Sequence, residues 1–217
     1  RHAPAGHRGG MTPRLEWAGM GLFAVLSVGA VALTAWQTDV DRSVFERFFG
    51  AVNPTGVMIV AALVGGIAMA SLQGNSDFAM IGPGASRDAV SITAWAVPVL
   101  AAAAIGADLV LRFPEDTNVA VPDALRFYPA IAVFVESTLH VVPIAVLVAL
   151  LGAPTGLDVT FWRIAIPVAL VEAVLQAAYA TSIGTSIFSA VHLTVFGVVQ
   201  VWMFWRFGFA WMLGFRL

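Results

Sequence analysis

The sequence predicts an all-α fold: one polytopic membrane bundle of about six transmembrane helices, the start of a seventh, and one amphipathic helix lying in the interface. Three observations carry that expectation. Hydrophobic residues make up 59% of the chain and charged residues 11%, with a mean hydropathy of +0.88, outside the range of soluble domains. Apolar runs recur at the length of about 20 residues that a ~30 Å hydrocarbon layer requires. The polar residues gather between those runs, most densely over residues 112–126 with Pro114, Glu115, Asp116, Asn118, Pro122 and Asp123.

The same composition excludes several classes of function. A net charge of −2 leaves no basic face for nucleic acid. The chain has no cysteine, which removes disulfides, thiolate nucleophiles and cysteine-held metals together. All eleven basic residues are arginine.

Taken in order, the first Met is Met11, so residues 1–14 read as an N-terminal tail, disordered or extraneous, and residues 15–217 as a single transmembrane domain. Leu15 to Trp36 is the first span, with Trp17 and Trp36 near its ends, where indole rings favour the headgroup level. Asp39 offers a cap to a following helix. There Val40, Val44, Phe45, Phe48, Phe49 and Val52 recur at helical spacing opposite Asp41, Arg42, Glu46 and Arg47, the pattern of an interfacial amphipathic helix.

Asn53-Pro54 ends that helix, and Gly56 to Leu72 is the second span, with Gly65, Gly66 and Ala68 permitting close helix approach. Residues 73–87 form a loop. Ala89 to Leu111 is the third span, kinked at Pro98, with Asp108 paired to Arg112 at i+4. Phe127 to Leu151 is the fourth, kinked at Pro143, Phe161 to Ala180 the fifth and Ser186 to Trp205 the sixth. Phe209 to Leu217 reads as the first turns of a seventh helix. An N-terminus in the cytoplasm places Arg1, Arg8, Arg14, Arg87, Arg163 and Arg206 inside against Arg42, Arg47, Arg112 and Arg126 outside, the direction of the positive-inside bias. The expected location is the bacterial inner (cytoplasmic) membrane.

Three late spans carry ionisable or amide side chains at membrane depth, where an unpaired charge costs roughly 2.5 to 3.5 kcal/mol on insertion scales. Glu136 and His140 stand at i and i+4, Glu172 and Gln176 likewise, and His192 and Gln200 eight apart, so that each pair shares roughly one helix face. Two carboxylates and two imidazoles converging between helices would suit a divalent metal such as zinc. The alternative is a packing role: Glu136 and His140 satisfying one another, Glu172 neutral and bonded to an amide or carbonyl, and His192 bridging helices. A proton-coupled or solute transporter would use the same groups, but the sequence shows no internal repeat and no paired broken helices.

These residues resemble the CPBP family, the CAAX-protease and bacteriocin-processing intramembrane metalloproteases. Val135-Glu136-Ser137-Thr138-Leu139-His140 is similar to the family's Glu-Glu-x-x-x-Arg motif, with Val for the leading Glu and His for the Arg. Phe188-Ser189-Ala190-Val191-His192 fits its Phe-x-x-x-His motif. Arg206-Phe207-Gly208-Phe209-Ala210-Trp211 is similar to the run preceding its third motif, a His-x-x-x-Asn or Asp absent here. The resemblance spans residues 128–217.

With these departures it implies a non-catalytic CPBP-like membrane protein. Such a protein would act as an accessory or scaffolding subunit of a larger membrane assembly such as a bioenergetic complex, with the lipid bilayer and other membrane subunits as partners. The other reading it implies is an active metal-dependent intramembrane endopeptidase. In that reading Glu136 and His140 are catalytic, and His140, Glu172 and His192 hold a divalent metal such as zinc that activates water.

Overall fold

The computed structural model describes residues 13–75, 77–82, 86–111, 113, 119–180 and 182–217. The tail before Pro13 and the expected Asp108 to Arg112 pair, whose arginine is at residue 112, lie outside the described residues; Asp108 accepts the Phe113 N–H at 3.0 Å. The described elements are helical: α1 (Pro13–Val40), α2 (Ser43–Phe49), α3 (Pro54–Asn75), α4 (Ser86–Leu111), α5 (Ala124–Val135), a π-helical turn (Glu136–Val141), α6 (Val142–Leu151), α7 (Val159–Ala178), α8 (Ile183–Phe207) and α9 (Phe209–Arg216). Six of the resulting rods are long and apolar enough to cross a membrane, with α5, the π turn and α6 forming one continuous rod. The chain is therefore an all-α integral membrane bundle.

Helix ends follow short polar signals. Asp158 caps α7 by accepting the Phe161 N–H at 2.9 Å. Ser182 and Thr185 form a reciprocal capping box at the start of α8. The cap expected at Asp39 is not one, because α1 runs on through Val40; Asp41 instead accepts the Ser43 N–H at 2.9 Å and hydroxyl at 2.6 Å. The amphipathic helix is shorter than its sequence pattern, spanning Ser43–Phe49. Phe45 is wholly buried against Phe127, while Arg42, Glu46 and Phe48 face outward.

Small residues set the closest approaches. A Cβ at Gly197 of α8 would stand 2.9 Å from Cα of Ala169, so α7 and α8 pack nearly backbone to backbone. α1 packs on α3 and α5, and α4 lies at the periphery against α8 with its apolar side chains turned outward. Pro98 lies within an uninterrupted α4.

The fourth span departs from expectation in an informative way. Instead of a simple proline kink, residues 136–141 wind as a π turn, with Val142 N–H donating to the Ser137 carbonyl five residues back. Pro143 has no N–H to give the Leu139 carbonyl, so the ordinary ladder is already broken at this point and the wider turn follows.

At the end of α8 the chain reverses at Gly208, whose φ of +100° is a conformation that glycine adopts without strain. The break is held by the loop after α3: Gly82 N–H donates to the Phe207 carbonyl (2.8 Å), Phe209 N–H to the Ala79 carbonyl (2.9 Å) and Ala210 N–H to the Met80 carbonyl (3.1 Å). α9 thereby folds back alongside α8, so the expected seventh helix is a short return into the bundle.

Candidate functional site

Four elements bring their polar side chains to one place. The π turn contributes Glu136, α7 Glu172, α8 Gln200 and α9 Arg216. Gln200 lies eight residues before Gly208 and Arg216 eight after it, so the reversal sets them side by side about 12 Å from the turn. Glu136, Glu172 and Gln200 are buried.

The Arg216 guanidinium spans all three. Its NH1 donates to Glu172 Oε1 at 2.9 Å and its NH2 to Glu172 Oε2 at 2.6 Å, a two-pronged pairing of fork and carboxylate. Its Nε donates to Glu136 Oε1, and its NH2 also donates to Gln200 Oε1 at 2.9 Å. Gln200 completes the ring by donating from Nε2 to the same Glu136 Oε1. Phe196 lies beneath the guanidinium, 5.3 Å from its central carbon to the ring centroid, and stacks on Phe215.

His140 is wholly buried beside this network. Its Nδ1 stands 3.2 Å from Glu136 Oε2, but neither atom makes an aligned hydrogen bond. Ser137 is also fully buried, pressed against the Gly65 backbone of α3, where an added Cβ would come within 2.8 Å of its own.

Glu136, His140 and Glu172 are thus neighbours, whereas His192 is elsewhere: half-buried and stacked on Phe188 at 5.1 Å. Eight residues along a helix turn about 80° past two full turns, enough to aim His192 and Gln200 in different directions. Gln176 is exposed and takes no part, although Glu172 one turn earlier is central.

The donor set does not fit the expected metal. Among the described residues no group of three or more His, Asp or Glu side chains gathers to hold one, and both carboxylates already accept from a guanidinium. Sequence reasoning missed Arg216. The available signal was charge: two carboxylates at membrane depth require a cation, and Arg216 is an arginine set in the aromatic run of the last helix.

Outside this site, an open apolar groove of about 550 Å³ runs along α3 from Asn53 to Val64 and is walled on the far side by Phe134, Thr138 and Val142. Comparison with protein-family models, curated proteins and solved structures finds no match to this chain.

Proposed function

We propose that this chain is a non-catalytic, CPBP-like integral membrane protein serving as an accessory or scaffolding subunit of a larger membrane assembly. The observation that carries this reading is the closure of the polar site on itself. Glu136 and Glu172, the carboxylates a hydrolase would use to hold a metal or activate water, are both engaged by Arg216 of the same chain. A general base must reach the proton that it abstracts, and a catalytic metal needs an open position. In this reading the ion pairs serve to fix the register of the helices that carry them.

The rest of the molecule supports the same reading. Most of the chain lies in its helices, so helix faces are the principal surface available to partners, and the outer face of α4 presents Trp95, Val99, Ile105 and Leu109. In this reading the N-terminus is cytoplasmic and the membrane is the bacterial inner membrane, following the arginine distribution.

Purification from native membranes in mild detergent, followed by size exclusion and mass spectrometry of the intact particle, tests the proposal. The expected result is the chain in fixed ratio with other membrane subunits. Migration as a lone chain, with no copurifying protein, would sink it.

A further inference from the structure

We infer that the Glu136, Glu172 and Gln200 cluster is a guanidinium-selective site, with Arg216 as its resident ligand and α9 as the plug that delivers it. The inference rests on the non-catalytic reading above only in taking the carboxylates to be a structural cation site.

The acceptors match a planar fork better than a sphere. Glu172 receives NH1 and NH2 in parallel on its two oxygens, and Glu136 receives Nε from another side. Gln200 is oriented by both neighbours: its amide nitrogen faces Glu136 and its oxygen faces NH2 of Arg216. A spherical divalent ion would recruit oxygens and imidazoles from all sides. Here His140 comes within 3.2 Å of Glu136, no group of three or more His, Asp or Glu side chains gathers among the described residues, and His192 lies apart. The ring of Phe196 under the ligand is a surface on which a guanidinium stacks. An ammonium could satisfy the charge but neither the fork nor the stacking.

Delivery is also built. Gly208 sets the reversal, and the backbone bonds from Gly82, Phe209 and Ala210 hold the start of α9 to the loop at residues 79–82. The site should therefore survive, vacant, when only the side chain of Arg216 is removed.

The test is chemical rescue in the full chain. Wild type and Arg216→Ala are purified in mild detergent, and thermal unfolding is followed by tryptophan fluorescence with millimolar methylguanidinium, methylammonium or zinc chloride. Arg216→Ala is expected to melt several degrees below wild type. Methylguanidinium should recover a substantial part of that loss in the variant and none in wild type, with no comparable effect of the other two cations.

Absence of rescue, or equal rescue by methylammonium, overturns the inference and leaves the scaffold reading standing. Rescue by zinc alone overturns the inference and counts against the scaffold reading too. Should Arg216→Ala not fold, Arg216→Lys, which keeps the charge and loses the fork, is expected to melt below wild type; an unchanged melt overturns the inference.

Discussion

Arg216 and Glu172 meet through two parallel hydrogen bonds, NH1 to Oε1 at 2.9 Å and NH2 to Oε2 at 2.6 Å, in the interior of a membrane bundle. Removing one partner of a buried pair leaves the other charge without compensation, a loss of about 3–5 kcal/mol. Arg216→Met is expected to destabilise the protein by about that amount. Glu172→Gln added to Arg216→Met should cost less than the sum of the two single changes, because the orphaned carboxylate is then gone. Unfolding of the two single variants and the double variant in detergent measures the coupling.

The reversal at Gly208 depends on two glycines in mutual contact. A Cβ at Gly82 would stand 2.6 Å from the Phe207 carbonyl carbon, and one at Gly208 would stand 2.5 Å from Gly82 N, in addition to the strain of its positive φ. Gly208→Ala should therefore lose about 1–3 kcal/mol, with Gly82→Ala in the same direction. Because α9 carries Arg216, both should also raise protease sensitivity near the C-terminal end, read by limited digestion and mass spectrometry.

Gly65 and Gly66 are adjacent but unequal. An added methyl at Gly65 would come within 2.8 Å of Ser137 Cβ and 3.3 Å of Phe23, whereas at Gly66 it would make an ordinary contact with Phe23 at 3.6 Å. Gly65→Ala should push α3 from the π turn and cost about 1–3 kcal/mol. Gly66→Ala should be neutral or slightly stabilising. Melting temperatures of the two variants, side by side, decide the point.

Asp158 links stability to pH. The Phe161 N–H that it caps holds its carboxyl below the ordinary aspartate value, with Thr155 adding to the effect. A depressed folded-state value means that the contribution is present above the unfolded aspartate range and is lost as pH falls through the folded one. Asp158→Ala is expected to lower the melting temperature at neutral pH. The gap from wild type should close as pH is taken down through the acid side of the aspartate range, in a series of melts at stepped pH.

Much of the architecture was legible in the residues. The six spans follow from runs of apolar side chains, since only a helix satisfies its backbone within hydrocarbon, and each span appears within a few residues of its sequence bounds. Glu136, His140 and Glu172 were conspicuous for the same reason, as ionisable groups in segments with no water to solvate them. The π turn was less legible. Pro143 announces a break in the ladder, but whether the helix bends or takes up an extra residue depends on what packs beside it, here Gly65 against Ser137.

The sequence by itself thus determined an all-α membrane bundle and required that its buried carboxylates find partners, because hydropathy and desolvation act on each segment alone. Which partner they find was decided by tertiary structure. Glu136 and Arg216 are 80 residues apart, and their meeting depends on a glycine reversal clasped by a distant loop. His192, in a motif that reads convincingly as a ligand, is turned away by the pitch of its own helix. A charge announces its need locally, but the cation that answers it is selected by how the helices return upon one another.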